Sequence, residues 1–294
     1  MEKDIKISAI VPVFNEDESI IMALSGLKQE LLKLRGEKKV EDFEIIVIND
    51  ASTDMTRGKL NGIANIKIID HLYNKGYGAS LKTGARNAQF DWLLFYDGDG
   101  QHKPEYIEEL IKYVSENEMV VGSREGYRGS VLRQLGKKLL TWIANYLVEK
   151  KIPDINSGFR LVKKDIFLKF SGILPNSFSA STTITLAFYK DGYNIKFIPI
   201  TINSRQKGKS TVKPKHAFTM SLLILRVIML FNPLKIFMPM ALILFVFSVI
   251  LILLDIISQG HISNSTGTIF LTTVIVFVLG LLADQISNIR RETK

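Results

Sequence analysis

The most constraining feature of the chain is a run of 19 residues, 236–254, that contains no charged side chain. It reads IFMPMALILFVFSVILILL, and a second uncharged run of 16 residues follows at 268–283. A helix needs about 20 apolar residues to cross a bilayer core of about 30 Å. The two runs therefore predict a membrane-spanning helical hairpin, with a hairpin buried in a soluble core as the alternative.

The distribution of charge predicts the orientation of this hairpin. Residues 192–254 carry eight Lys or Arg and no acid, although the whole chain holds 38 basic and 29 acidic residues. Basic residues also follow the second run, whereas the loop between the runs, 258–266, has none. Because Lys and Arg favour the cytoplasmic side of spans, both flanks are expected in the cytoplasm. Basic charge confined to one block is not typical of a nucleic-acid footprint, so no nucleic-acid partner is expected.

Two segments outside the spans mix apolar and basic residues. Residues 213–233 predict an amphipathic helix in the membrane interface, with a third core helix as the alternative. Residues 127–151 predict either an arm that dips into the interface or an ordinary packed helix. The chain has no cysteine, which excludes disulfides, thiolate metal sites and a cysteine nucleophile. The polar N-terminal stretch does not have the pattern of a signal peptide.

Residues 1–200 alternate short apolar runs with stretches of helical periodicity, which predicts a mostly parallel α/β sheet. The runs are 5–13, 43–48, 66–69, 92–96 and 119–121. Ligands of such sheets bind at the carboxyl ends of the strands. Polar residues follow four of the runs, namely Asn15 and Glu16, Asn49 and Asp50, His71 and Asn74, and Asp97 and Asp99.

The segment YDGDGQHKPE, residues 96–105, places two carboxylates directly after an apolar strand. Asp97 and Asp99 can both point at one divalent cation, and Gln101 and His102 are near enough to complete or flank its shell. A tight Asp-Gly turn is the structural alternative. A calcium loop is disfavoured, because His102 stands where the sharp turn of that loop needs glycine.

Seven motifs in one order, between residues 5 and 215, resemble family 2 glycosyltransferases. They are VPVFNEDESI (11–20), VINDASTD (47–54), NKGYGASLKTG (74–84), DGDGQHKPE (97–105), GSR (122–124), INSGFR (155–160) and RQKGKS (205–210). Within that family the chain resembles the polyprenyl-phosphate type, which includes dolichyl-phosphate mannose synthases and bactoprenol glucosyltransferases. Two predicted spans after the catalytic part also resemble the bactoprenol members.

The resemblance implies a GT-A-like, nucleotide-sugar-binding α/β domain over residues 1–212, an interfacial helix over 213–233 and a transmembrane hairpin with a basic cytosolic tail over 234–294. It implies an integral membrane protein whose catalytic domain lies on the cytoplasmic face. The implied reaction is inverting transfer of a hexose from a UDP-glucose or GDP-mannose type donor to a membrane polyprenyl phosphate. Mg²⁺ or Mn²⁺ is the implied cofactor. The hairpin is also a candidate for packing with copies of itself in a homo-oligomer.

The resemblance further implies roles for individual residues. The metal ligands are Asp97 and Asp99, assisted by Gln101. Nucleotide and substrate contacts are implied for Pro12, Asn15, Glu16, Asp50, Lys75, Gly78 and Lys209. Arg124 and Arg133 are expected to hold the acceptor phosphate, and Arg205 to face the phosphates from a mobile loop. Three residues depart from the family pattern: Asn49 replaces an aspartate, Thr183 a glutamate and Thr211 a lysine.

The proposed chemistry explains why the sequence shows no Ser/His/Asp or Cys/His constellation. A phosphate monoester has a second pKa of about 6 and is largely a ready nucleophile at neutral pH, so no general base is required. Three alternatives stay open: a processive polysaccharide synthase, a non-catalytic membrane scaffold and an anchored transferase with a soluble acceptor. The first would typically carry a Gln-x-x-Arg-Trp motif, and no Arg-Trp pair occurs in the chain.

Overall fold

The computed structural model describes residues 5–124, 141–142, 145–146, 149–203, 229 and 232–292. The strands are β1 (Lys6–Val13), β2 (Asp42–Asn49), β3 (Lys67–Asp70), β4 (Trp92–Phe95), β5 (Met119–Arg124), β6 (Arg160–Lys163) and β7 (Ile195–Ile200). The helices are α1 (Ile20–Gly36), α2 (Thr56–Leu60), α3 (Tyr77–Asn87), α4 (Tyr106–Ile111), α5 (Lys164–Phe170), α6 (Ala180–Lys190), α7 (Leu234–Gln259) and α8 (Asn264–Glu292).

The chain divides into two compact units. The first comprises Met1–Thr141 with Lys150–Lys213, and the second comprises Trp142–Glu149 with Pro214–Lys294. The first unit holds all seven described strands and helices α1 to α6, whereas α7 and α8 belong to the second. The domain limits drawn from the sequence stay predictions.

The seven described strands form one sheet in the order β3-β2-β1-β4-β6-β5-β7. Strand β1 is parallel to both β2 and β4, and β6 is antiparallel to its neighbours β4 and β5. The predicted mostly parallel α/β sheet is therefore confirmed. Because β1, β2 and β4 run in the same direction, their carboxyl ends meet at one edge, where such sheets bind ligands.

Helices cover both faces of the sheet near β1. On one face, Val11 of β1 and Leu27 of α1 lie in the same buried hydrophobic cluster. On the other face α3 approaches so closely that a Cβ added to Gly84 would lie 2.4 Å from Ile10 Cγ2. Successive side chains of a strand point to opposite faces, so burial on both sides requires apolar residues throughout. This explains the continuous apolar runs in the sequence.

The second unit contains two long helices, α7 and α8. Both are long and apolar enough to cross a membrane, and their most apolar windows are only 11% and 22% buried. The core helix of a soluble protein would be mostly buried, so the exposure of these windows favours a lipid environment. Gly280 lets the helices approach, because a Cβ there would lie 2.6 Å from Phe237 Cβ. Gly260, with a φ of 71°, ends α7 in the left-handed conformation.

A proline near the start of α7 is accommodated by a tyrosine from the same unit. Pro239 has no N–H, so it cannot donate to the carbonyl of Lys235 four residues earlier. The hydroxyl of Tyr146 donates to that carbonyl at 3.2 Å. The Lys235 ammonium in turn lies over the Tyr146 ring, 5.5 Å from its centroid, and pairs with Glu149.

Candidate active site

The loops after β1 and β2 are joined by hydrogen bonds at the carboxyl edge of the sheet. Asn15 adopts a left-handed conformation, with a φ of 54°. Its side-chain oxygen accepts from the backbone N–H of Thr53 at 2.8 Å, and its own N–H donates to the hydroxyl of Ser52 at 3.1 Å. The N–H of Glu16 donates to the hydroxyl of Thr56 at 2.9 Å. The predicted nucleotide contacts Asn15 and Glu16 therefore belong to one fixed double loop.

Asp50, at the end of β2, is buried and contacts three polar groups of its own chain. Its carboxylate accepts from the backbone N–H groups of Lys75 and Gly76, each at 2.8 Å. His71 Nδ1 lies 2.7 Å from the same carboxylate, and His71 Nε2 lies 2.9 Å from the hydroxyl of Thr83. These contacts hold the loop that leads into α3, and the predicted contact of Asp50 with the nucleotide stays a prediction.

Asp97, at the end of β4, is more open. Its carboxylate accepts from the Tyr77 hydroxyl at 3.0 Å and lies 3.3 Å from His102 Nε2. Gly158 lies against it, since a Cβ at that position would be 2.8 Å from Asp97 Oδ2. Burial by itself raises the pKa of Asp97, but His102, the Tyr77 hydroxyl and the charge of Arg124 outweigh it and hold that pKa below its ordinary value. The carboxylate is therefore ionised at neutral pH.

The turn that follows Asp97 presents the second carboxylate. Asp99 Oδ1 accepts from the backbone N–H of Gln101 at 3.0 Å, and Gly100 between them has a φ of 70°. Such an Asx turn fixes the acidic group locally. Carboxylate and amide oxygens are the ligands that Mg²⁺ and Mn²⁺ prefer. Among the described residues no group of three or more His, Asp or Glu is placed to hold a metal ion.

His102, which lies within hydrogen-bond distance of Asp97, is itself held by aromatic neighbours. Its ring stacks on Phe159, with centroids 5.1 Å apart and an interplanar angle of 20°. Its backbone carbonyl accepts from the hydroxyl of Tyr96 at 2.8 Å. The ring is buried and its Nδ1 has no hydrogen-bond partner. An Nε2–H that donates to Asp97 leaves only a lone pair on Nδ1, which is the arrangement that buries no unpaired donor.

Arg124, at the end of β5, forms a bidentate pair with a buried acid. Its Nε lies 2.7 Å from Asp154 Oδ2, and a terminal nitrogen lies 3.1 Å from Oδ1. This pair orients the guanidinium but uses two of its donors. The predicted contact of Arg124 with an acceptor phosphate stays a prediction.

Arg160 is a buried cation that the sequence analysis passed over. It begins β6 and donates to the backbone carbonyls of Ser157 and Ser181 and, at 3.2 Å, to the hydroxyl of Thr185. Burial lowers the pKa of Arg160 to about 10, although the charges of the nearby acids Asp154 and Asp97 act to raise it. The side chain therefore stays protonated at neutral pH. The only sequence signal was its place in the INSGFR motif.

The remaining predicted substrate residues have diverse surroundings. Gly78 is buried, and its missing side chain lets α3 contact the backbone of Pro175, whose carbonyl oxygen would lie 2.2 Å from a Cβ there. Lys75 is exposed, with its ammonium 5.5 Å from the ring centroid of Tyr73. Pro12 is half-buried in β1. Their roles in substrate binding stay predictions.

Several predicted features lie outside the described residues. They are Arg133, Arg205, Lys209 and Thr211, together with most of the segments 127–151 and 213–233. Thr183, where a glutamate was expected, is buried in α6 and donates its hydroxyl to the carbonyl of Ser179 at 3.0 Å.

Comparison with known families identifies the chain. The model of the glycosyl transferase family 2 matches residues 8–170. The chain belongs to glycosyl transferase family 2. A second model, described as the GtrB C-terminal hairpin, matches residues 232–289. The predicted resemblance is therefore confirmed, and the apolar hairpin has its own counterpart in a known family.

Two family 2 relatives carry names that mention a lipid phosphate. The undecaprenyl-phosphate mannosyltransferase of Micrococcus luteus is 24% identical over 70% of this chain and 86% of its own length. The dolichol-phosphate mannosyltransferase of Pyrococcus furiosus is 26% identical over 72% of this chain, which spans 61% of that relative. The crystal structure of glucosyl-3-phosphoglycerate synthase from Mycobacterium tuberculosis with Mn²⁺ and UDP-glucose is 16% identical, has a TM-score of 0.56 and covers 76% of this chain and 78% of its own. This likeness confirms the GT-A-like fold.

Proposed function

We propose that this family 2 glycosyltransferase transfers a hexose from a nucleotide sugar to a membrane polyprenyl phosphate, with inversion at the anomeric carbon. The observation that carries the proposal is the carboxylate pair Asp97 and Asp99. It lies at the ligand-binding edge of the sheet, in a chain that also holds an apolar hairpin. The names of the relatives from Micrococcus luteus and Pyrococcus furiosus support a lipid-phosphate acceptor.

The residues of the acidic turn fit a divalent cation. Asp97 and Asp99, with Gln101, supply hard oxygen ligands, and Asp97 is held ionised. When bound there, Mg²⁺ or Mn²⁺ would neutralise the charge that develops on the departing nucleoside diphosphate. The Mn²⁺ and UDP-glucose bound to the mycobacterial synthase of similar fold support this choice of cofactor and donor.

Binding and positioning fall to the chain's own residues. The double loop of Asn15 and Glu16, together with Pro12, lines the expected nucleotide pocket. Asp50 fixes the neighbouring loop, whose exposed Lys75 adds a positive charge. A phosphate monoester needs no general base, only cations that hold it in line with the leaving group. Arg124 is one candidate, and Arg133, Arg205 and Lys209 complete the proposed set.

The membrane parts match the physical nature of the acceptor. A polyprenyl phosphate has its charge at the bilayer surface and its tail in the hydrocarbon. The proposal places α7 and α8 across the membrane and the catalytic unit on the cytoplasmic face, because the basic block precedes α7. The boundaries 1–212, 213–233 and 234–294 and self-association of the hairpin belong to the same proposal.

The test is a panel of nucleotide sugars incubated with membranes that contain the full chain, a polyprenyl phosphate and Mg²⁺ or Mn²⁺. We expect one radiolabelled sugar to enter the organic phase as a prenyl-linked product. Label in a water-soluble product alone would favour the soluble-acceptor alternative, and a growing polymer would favour a synthase. Absence of transfer from every donor would favour a non-catalytic scaffold.

A further inference from the structure

Phe178 is an apolar side chain that is left 80% exposed close to the acidic turn. Its ring stacks on that of Tyr77, with centroids 5.1 Å apart and an interplanar angle of 18°. The hydroxyl of the same tyrosine donates to Asp97 Oδ1 at 3.0 Å. An exposed aromatic face therefore lies one stacked ring away from a proposed metal ligand.

The loop that carries this ring is fastened to the first turns of α3. The carbonyl of Asn176 accepts from the N–H of Gly78 at 2.8 Å, and the Lys82 ammonium donates to Asn176 Oδ1 at 2.6 Å. Gly78 and the backbone of Pro175 are in direct contact, because no side chain separates them. The aromatic face is thus held in place before any ligand arrives, which lowers the entropic cost of binding.

The chemistry of the proposed reaction favours one occupant for this face. The donor's sugar and diphosphate are polar or charged, and its nucleobase, which can stack on an aromatic ring, is expected at the double loop of Asn15 and Glu16. The acceptor's isoprenoid chain is wholly apolar, and its first unit is bonded directly to the reacting phosphate. That phosphate has to approach the sugar beside the diphosphate, which the proposal places at Asp97. An apolar surface this close to Asp97 matches the first isoprene unit and not the distant tail.

We infer that the exposed face of Phe178, backed by Tyr77, binds the first isoprene unit of the acceptor. The inference rests on the proposed function, since it concerns the acceptor of that reaction. Phe178 is a specificity residue in this account: it recognises the carbon that carries the phosphate, while cationic residues recognise the phosphate itself. Flat aromatic rings suit this role because they present a large apolar area with few rotatable bonds.

The test is steady-state kinetics of the full chain in detergent, with a two-unit prenyl phosphate as acceptor. We expect Phe178→Ala to raise the KM for the acceptor about tenfold, which corresponds to the loss of one aromatic contact and its buried area. The kcat and the KM for the nucleotide sugar should stay within about twofold of wild type. Phe178→Tyr should retain the wild-type KM. The matched control is Leu32→Ala. It removes an exposed apolar side chain from a different element, α1, and should change none of these constants.

A second acceptor sharpens the test. Because only the first unit contacts Phe178, the increase in KM should be the same for an eleven-unit prenyl phosphate. An increase confined to the longer acceptor would place Phe178 on the distal tail and overturn the inference. An unchanged acceptor KM, or a rise in the nucleotide-sugar KM instead, would overturn it as well, the latter in favour of stacking on the sugar.

The outcomes for the two proposals are distinguishable. If wild type transfers no sugar to any prenyl phosphate, the proposed function fails and the inference fails with it. If wild type is active and Phe178→Ala is equally active at low acceptor concentration, only the inference fails. Thermal melting checks that Phe178→Ala is folded. As a second variant, Phe178→Leu keeps apolar area but has no flat ring, and its KM for the acceptor should lie between those of wild type and Phe178→Ala.

Discussion

Two aspartates follow two strands that flank β1 in the same sheet, yet their surroundings differ. The Asp50 side chain is only 5% exposed. It accepts hydrogen bonds from two backbone N–H groups and lies within hydrogen-bond distance of His71. The Asp97 side chain is 28% exposed and is supported by two side chains, Tyr77 and His102. A place at the carboxyl end of a strand therefore does not decide whether a carboxylate serves a ligand or the fold.

The difference follows from what each carboxylate can still accept. An ionised carboxylate has about four acceptor sites. The three donors of Asp50 come from its own chain, and removing the negative charge there would weaken the hydrogen bonds that it accepts from Lys75 and Gly76. Asp97 and Asp99 are both partly exposed and are separated only by Gly98, so both lie where a cation can approach from solvent. From this comparison we predict that Asp50 mainly stabilises the fold and that Asp97 and Asp99 bind a cation, and the following substitutions test that prediction.

The largest expected effect on activity is at the pair Asp97 and Asp99. Asp99→Ala should reduce transfer to lipid phosphate by at least about a hundredfold, because the charge of the departing diphosphate loses its counter-ion. Its melting temperature should match wild type. Asp91→Ala, an exposed carboxylate at the opposite end of β4, is the control and should keep full activity. Undiminished transfer by Asp99→Ala would refute the metal assignment.

The next largest effect is at the contact behind Asp97. In Gly158→Ala the new methyl group would meet Asp97 Oδ2 at 2.8 Å and the Tyr77 hydroxyl at 2.6 Å, so the carboxylate has to move. A shift of about 1 Å in a reacting group costs on the order of a hundredfold in rate, and kcat should fall by roughly that amount. Gly36→Ala, where nothing lies within 4 Å, should have no effect. Wild-type kcat in the first variant would show that the position of Asp97 is not critical.

At Asp50 the expected effect is on stability and not on the rate of transfer. Asp50→Asn should lower the free energy of unfolding by about 2 kcal/mol, because a neutral amide replaces the buried, charged acceptor of two backbone N–H groups. Thermal melting of the full chain in detergent should show a drop of roughly 5 °C. Asp42→Asn, at an exposed carboxylate of β2, should melt like wild type. A normal melting temperature together with lost nucleotide binding would mean that Asp50 serves the ligand and would break the comparison.

The smallest effect is at the far end of the Asp50 network. Thr83→Val removes the hydroxyl that lies 2.9 Å from His71 Nε2 but keeps the shape of the side chain. The expected loss in unfolding free energy is about 1 kcal/mol. Thr83→Ser retains the hydroxyl and should lose less. Equal melting of the valine variant and wild type would indicate that His71 needs no second partner.

Much of the fold could be predicted from the sequence, since strands β1 to β5 all overlap predicted apolar runs, and those of β1, β4 and β5 are buried almost throughout. The exposed α7 and α8 correspond to runs without charge. Strands β6 and β7 were not predicted, because RLVK has only two apolar residues in a row and IKFIPI is interrupted by Lys196 and Pro199. The pairing of β6 with β4 and β5 involves residues distant in the sequence, which no local pattern reveals.

The candidate site was predictable where adjacent residues carry the signal and not where distant residues meet. Asp97 and Asp99 form a local motif and could be found directly. The contact between Gly158 and Asp97 joins residues on separate elements, and Arg160 reads as an ordinary surface cation until its burial is seen. The exposure of Phe178 likewise depends on a loop that is held by α3.

The most direct test of the central claim is removal of divalent metal from the full chain in membranes supplied with its nucleotide sugar and a polyprenyl phosphate. Transfer to the lipid should stop after chelation and return when Mg²⁺ or Mn²⁺ is added back, while Asp99→Ala should stay inactive at every metal concentration. Transfer at the full rate by metal-free wild-type membranes would contradict the assignment of Asp97 and Asp99.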